Sequence, residues 1–425
     1  HRGLDAGIVC RRGDERCSGH MAGRCRSAID AGGVMTPFWK LSAAGFAATA
    51  ITYGPARMGF GLFLPEFRSV FSISIQQAGI ISSLGFFGFF AGLLISQAMT
   101  ASKGPRLPIV FGLAAATAGI GMVAAAPNLP VLSLGILLAM SSAGFSWTPF
   151  SDAVNHGVRE ALRPTALSLV STGTSLGITA AGTAALLMSI GGVSWRFCWA
   201  IFAIGSALSL LGNWVALRDA AGRPGVRPAL RWRALFHRAA VPLFGIGFCF
   251  GVTSTVYISF AADRIAQAGG VAGVPANVSG SLVFICYGVF GLLGLLTGSV
   301  KGALGLPLLL RLLMLASALS SALIAWMPTS WTGVVVSAGL QGINVMMMSA
   351  TMAFWSDRLF PSFPSRGFTA VLLAVATGSV LGPVVAGSAA EAFGAAPMFL
   401  GTAALAAAAA LAIRSGTIRE SPHPE

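Results

Sequence analysis

Thr172-Gly173-Thr174-Ser175-Leu176-Gly177 and Thr377-Gly378-Ser379-Val380-Leu381-Gly382 are one glycine-spaced block written twice, at an offset of 205. Ser151-Asp152 returns as Ser356-Asp357 at the same offset, and Gly85-Phe86-Phe87-Gly88 as Gly288-Val289-Phe290-Gly291 at 203. Both copies of the longer block lie inside apolar segments, and twelve such segments fill residues 41–413: 41–65, 75–99, 108–126, 130–153, 165–189, 196–217, 240–262, 279–300, 307–326, 331–355, 368–390 and 394–413. A hydrocarbon core of about 30 Å needs roughly 20 apolar residues per helix. The expected fold is therefore an all-α membrane protein of twelve transmembrane helices, arranged as two pseudo-symmetric six-helix bundles. Secondary transporters use such duplicated bundles, with the solute held between the halves.

Composition agrees. Hydrophobic residues make up 55% of the 425-residue chain and charged residues 9%, far from the balance of a soluble domain. No segment alternates at period two, so barrel strands are excluded. The net charge of +14 points away from nucleic acid because of where it lies. Connections after the second, fourth, sixth, eighth and tenth spans hold thirteen basic residues, from Lys103 and Arg106 to Arg358 and Arg366, whereas the opposite connections hold three, Arg68, Arg196 and Arg264. This positive-inside bias puts both termini in the cytoplasm of a multi-pass plasma-membrane protein, of the bacterial inner-membrane kind.

The chain divides accordingly: 1–34, a polar tail expected to be disordered or not native; 35–217, the first six-helix bundle; 218–238, a basic linker; 239–414, the second bundle; and 415–425, a cytoplasmic tail. In the linker, Trp232, Leu235 and Phe236 share one helical face flanked by Arg231, Arg233 and Arg238, which suits a short helix lying on the membrane surface. Cys10, Cys17, Cys25 and His20 match no zinc spacing, and no metal or other cofactor is expected. Glycines at 85, 88 and 92 and at 288, 291, 294 and 298 read as seams for close helix packing.

With these features in place, residues 35–414 resemble the major facilitator superfamily: six plus six helices, a long basic central loop and cytoplasmic termini. The superfamily's loop after the second helix is matched in part. Gly104 and Arg106 are present, but Ala101 and Ser102 stand where Asp-Arg is usual. Met140 lies near the position of the buried arginine of proton-driven drug exporters. Gly382-Pro383 in the eleventh span resembles the exporters' Gly-Pro bend, which the family places in the fifth helix. The resemblance implies a twelve-helix secondary transporter and leaves its substrate open.

An ionisable residue inside a membrane span is by default a functional candidate. Arg57 lies about 25 Å along the first span from Lys40, at roughly 1.5 Å per residue, with Tyr53 one turn earlier on the same face. Its planar fork suits a carboxylate; the alternatives are that it snorkels outward or forms an ion pair with Glu66. Gln341 and Asn344 in the tenth span, Trp147 before the kink-forming Pro149, Tyr257 and Tyr287 are further candidates for the binding site. Gln341 and Asn344 could equally bond across to a neighbouring helix, and Trp147 could belong to an interfacial aromatic belt. Asp152 and Asp357, with Arg163 and Arg366, mark the cytoplasmic ends of the fourth and tenth spans and read as gate residues or as ordinary loop salt bridges. Proton coupling would need a peripheral acid such as Asp152, or a protonatable solute.

Enzyme motifs are missing: there is no HExxH, GxSxG or P-loop. The expectation is a non-enzymatic carrier working by alternating access on a small organic solute, an anion favoured. Its partners are that solute, the lipid bilayer and a possible coupling proton. Efflux of amphiphilic drugs is the alternative within the same class, and a non-transporting sensor or assembly protein the alternative outside it.

Overall fold

A computed structural model describes residues 37–218, 238–361, 364–414 and 418. The expected tail (1–34) and most of the linker, including its amphipathic stretch, lie outside the described residues. Those described are helical and contain no strand. Eleven helices are long and apolar enough to cross a membrane.

The twelfth apolar stretch is also helical, but it is broken in two places. It comprises α1 (Pro37–Tyr53), α2 (Pro55–Leu62) and α3 (Leu64–Phe71). Both breaks precede a proline, Pro55 and Pro65, whose missing N–H cannot continue the helical ladder. There follow α4 (Ile75–Lys103), α5 (Arg106–Ala125), α6 (Leu129–Gly144), α7 (Trp147–Gly157), α8 (Arg163–Ile190) and α9 (Trp195–Ala216). The second part holds α10 (Val241–Gln267), α11 (Ala276–Gly291), α12 (Thr297–Leu304), α13 (Leu306–Trp326), α14 (Trp331–Leu359), α15 (Pro364–Phe393) and α16 (Ala395–Ala412). The α6–α7 break falls at Phe145–Ser146, where Pro149 leaves the Phe145 carbonyl without its usual donor. The expected kink therefore occurs. In contrast, Pro383 sits inside an unbroken α15.

Local signals set the ends. Ser74 opens α4 with a capping box closed by Gln77, and Asn128 and Ser330 accept from Val131 N and Gly333 N at the starts of α6 and α14. α4 ends at Gly104 (φ 78°) and α12 at Gly305 (φ 76°). Each amide donates back to a carbonyl four residues earlier, Thr100 and Lys301. An L side chain would strain this left-handed conformation at both ends.

The longer repeated block makes repeated contacts. A β-carbon on Gly173 or Gly177 of α8 would strike the Phe46 or Ala50 carbonyl of α1, and one on Gly378 or Gly382 of α15 meets the Phe248 or Val252 carbonyl of α10. The shorter repeat does not repeat its contacts: Gly88 rests on the Leu137 carbonyl, whereas Gly291 meets the Ser175 hydroxyl and the Met346 side chain. Since lipid offers no hydrophobic drive between helices, such close approach is what holds them together. We expect Gly177→Ala to cost about 1–3 kcal/mol, read as a lower thermal midpoint in detergent. Gly382→Ala should cost less, because its β-carbon would stand 3.0 Å from the Val252 oxygen.

The first and second parts meet chiefly where α4 packs on α15 and α8 on α11. At the first seam Gly79 abuts Pro383 and Gly387; at the second Gly288 lies against Ser175 and Thr179. Gly85, Gly88 and Gly92 instead pack on α6 and its end, within the first part.

Candidate functional site

A cavity of about 670 Å³ lies between the two parts, at the end of the molecule that carries the basic connections. Its walls come from α4 (Gln97, Thr100), α7 (Trp147, Ser151, Asp152), α8 (Arg163 to Ser175), the segment around Gly291–Gly298, α14 (Met346 to Asp357) and Phe368 of α15. The α6–α7 and α11–α12 breaks both fall at this cavity. A ³₁₀ segment, Leu292–Leu296, forms the second of them.

Sequence-selected residues divide into three groups. Trp147, Asp152, Arg163 and Asp357 line the cavity, and Arg366 does not. Arg163 directs Nε to the Val158 carbonyl at 3.1 Å, and His156 lies 3.8 Å from an Asp152 carboxylate oxygen.

Arg57 and Tyr53 form a second group, beyond the blind end of the cavity. Gly54 abuts Gly177, two residues past the cavity residue Ser175, which puts Arg57 about 7 Å further into the protein at 1.5 Å per residue. The Arg57 guanidinium carbon stands 4.6 Å from the centre of the Phe89 ring, 5.4 Å from Tyr53 and 5.5 Å from Phe86. Its Nε is buried without a hydrogen-bond partner, and among the described residues no carboxylate pairs with it. The alternative pairing with Glu66 does not occur; a Glu66 carboxylate oxygen is itself buried and unpartnered. Ring faces attract a cation, worth about 0.5–2 kcal/mol each, but they leave its N–H donors free. Two of the chain's three tyrosines, Tyr53 and Tyr287, are in reach of Arg57. Tyr53 donates to the Ala143 carbonyl at 3.4 Å, and Tyr287, whose hydroxyl has no partner, is within electrostatic reach of Arg57 and Tyr257.

Gln341 and Asn344 form the third group. On α14 the cavity residues Met346, Ala350, Phe354 and Asp357 share one face. Gln341 and Asn344 are about 140° and 160° round the helix from Met346, and both are fully buried. This same buried face carries Ser337, which bonds to Ser320 of α13 (2.7 and 2.8 Å) and to the Tyr257 hydroxyl at 2.9 Å. All four amide heteroatoms of Gln341 and Asn344 are without partners there.

The opposite end of the molecule is closed, by contacts that the sequence did not reveal. Arg68 of α3 donates from Nη1 to an Asp263 carboxylate oxygen of α10 at 2.6 Å, and Gln267 donates to the same oxygen at 2.6 Å. Ser82 and Ser259 hydroxyls meet at 2.6 Å, and Gln76 reaches Ser388 at 3.4 Å. Arg68 had counted as a loop charge. What identifies it as a tie is the distance to a residue 195 positions away, which no local pattern encodes. Phe86 and Phe89 were likewise missed as cage walls. The Gly85–Gly88 seam was their available signal, because seating the glycines on α6 turns these rings towards α2.

Comparison with known proteins follows the same lines. The chain matches no curated protein in sequence. Solved structures share its fold. A peptide transporter POT in complex with sulfate superposes with a TM-score of 0.73 at 14% identity, covering 89% of this chain and 93% of its own. The nucleoside transporter NupG, as a mutant, gives 0.71 at 13%, covering 90% and 100%. A bacterial homolog of the human lysosomal transporter Spinster, in an inward-facing and unoccupied conformation, gives 0.68 at 16%, covering 92% and 100%. At these identities the likeness is one of fold. The family model of the Major Facilitator Superfamily matches residues 45–307, well over half of the sequence, and the chain belongs to that superfamily.

Proposed function

We propose that this protein is a secondary active transporter which carries a small organic anion across the plasma membrane by alternating access. The observation that carries the reading is Arg57. It is a guanidinium walled by three aromatic rings, without a carboxylate partner among the described residues, roughly one to two helical turns beyond the lining of a cavity between the two parts. A carboxylate entering along the cavity would accept from the free fork, and its body would lie against the rings. Tyr53, Tyr257 and Tyr287 complete this pocket, and Trp147 lines the approach to it. Gln341 and Asn344 lie on the buried face of α14, away from the cavity wall, and are not assigned to substrate.

In this reading residues 35–217 and 239–414 are two six-helix bundles, with 37–71 as the twelfth crossing. Both termini and the 218–238 linker are cytoplasmic, so the cavity faces inward and the Arg68–Asp263 tie shuts the outside. Asp152, Asp357, Arg163 and Arg366 then act as the inner gate when the cavity closes. A second reading, efflux of amphiphilic drugs, draws on the apolar cavity wall of Leu292, Leu295, Met346 and Phe354.

The test is a thermal-shift screen of the purified protein against mono- and dicarboxylates and lipophilic cations. An anion at 100 times its Kd stabilises by about 2.7 kcal/mol. Stabilisation by cations alone would overturn the anion assignment. Topology is tested with the native cysteines replaced. Lys103→Cys and Arg159→Cys should be shielded from an impermeant thiol reagent in intact cells, whereas Gly191→Cys and Thr329→Cys should be labelled.

A further inference from the structure

A second hollow, of about 530 Å³, runs along the lipid-facing side between α1 and α9. Its wall is Ala43, Ala47 and Ala50 on α1 and Gly205 and Gly212 on α9, with Lys40 at one end. The helices leave it open: a β-carbon on Gly212 would meet nothing within 4 Å, and one on Gly205 only Ile51, at 3.7 Å. Around it α9 turns Leu208, Leu211 and Val215 outward, each more than 60% exposed, which is the composition of a surface that meets lipid tails.

Three polar side chains line it: Lys40, Asn213 and Ser209, the last one turn from Asn213. Lys40 makes no ion pair among the described residues. One turn along, Asn213 lines the hollow at 1% exposure. Its Nδ2 donates to the Ala44 and Ser209 carbonyls at 3.1 and 2.9 Å, and its Oδ1 is buried without a donor. A buried acceptor is seldom left unmatched, since its desolvation goes uncompensated. The cation and the acceptor together call for a ligand that brings negative charge and a hydrogen-bond donor to the Lys40 end. The rest of the hollow calls for hydrocarbon. From Lys40 to Ile51 the groove runs about 16 Å at 1.5 Å per residue, the depth of one leaflet of a core about 30 Å thick.

We propose that the α1–α9 groove binds one anionic phospholipid with a hydroxylated headgroup. An acyl chain lies along the Ala/Gly wall, the phosphate sits at Lys40, and a headgroup or glycerol hydroxyl donates towards Asn213. The groove borders the α8 contact of α1 at Ala50 and otherwise lies on a different face of that helix, so the lipid would brace the helix that carries Tyr53 without entering the transport cavity. Basic pockets between membrane helices select anionic headgroups in this way.

Native mass spectrometry of the full chain in detergent, with dioleoyl-phosphatidylglycerol or dioleoyl-phosphatidylcholine added at equal concentration, tests the assignment. One phosphatidylglycerol should be retained about fivefold better than phosphatidylcholine, and Lys40→Gln should erase that preference. Gly212→Leu and, separately, Ala47→Leu fill the groove and should remove the retained lipid. Equal retention of the two lipids by the unmodified chain, or undiminished phosphatidylglycerol on both filled variants, would overturn the proposal. Anion binding in the thermal-shift screen does not bear on this result, so the two readings fail separately.

Discussion

On the anion-carrier reading, Arg57→Gln is expected to abolish anion binding and to leave the protein folded. The bidentate, charge-assisted contact it removes is worth about 3 kcal/mol, on the order of 100-fold in affinity. Arg57→Lys keeps the charge but loses the planar fork, and should weaken binding roughly tenfold. Stability behaves differently. The guanidinium has no carboxylate partner and one buried, unpartnered nitrogen. Its removal therefore relieves a desolvation cost while giving up ring contacts worth about 0.5–2 kcal/mol each. The thermal midpoint should hold or rise in Arg57→Gln, and Glu66→Gln should not alter that outcome. Isothermal titration with an anion found in the screen, together with thermal midpoints of both single variants and the double, checks this. Unchanged affinity in Arg57→Gln would end the anion-site assignment.

Asp263→Asn is expected to unlock the closed end. Asp263 is 4% exposed in its side chain and Arg68 26%, so the pair is half sheltered from solvent screening. Breaking it leaves Arg68 with a neutral partner, at a cost of about 2 kcal/mol, between the values for exposed and buried pairs. On the alternating-access reading that cost falls on one conformation alone, so the ratio of the two access states should move about 30-fold towards the form open at this end. Ala386→Cys, buried beside Gly387 at the α4–α15 seam, should then react with an impermeant thiol reagent several times faster than in the parent. Reversing the pair, Arg68→Asp with Asp263→Arg, should slow it again. Equal labelling in all three proteins would show that the tie does not hold the gate. The Ser82–Ser259 bond is neutral, and Ser82→Ala should have a smaller effect in the same assay.

Reading of the chain succeeded where periodicity and composition carry the information. Apolar length specified the membrane helices, and the doubled blocks at 172 and 377 anticipated doubled contacts, because each glycine seats on a carbonyl four residues from the next. Pro149 foretold the α6–α7 break. Pro55 and Pro65 carry the same signal, yet the first span was read as one helix, since hydropathy averages over a window and does not register a missing N–H. For Gln341 and Asn344 the helix and the depth were legible but not the direction, which depends on how α14 is rotated against α13.

The sequence by itself determined that this is a duplicated helical membrane protein with a buried arginine beside a tyrosine. These properties follow from local hydrophobicity and from residue types along one helix. Tertiary structure alone decided what surrounds that arginine. Phe86 and Phe89 of α4 wall it, Glu66 does not pair with it, and Asp263 pairs with Arg68, 195 residues away. The physical reason is that a buried charge takes its partner from whichever helix packing brings within about 3 Å, and packing is set by small-residue seams spread across the whole chain.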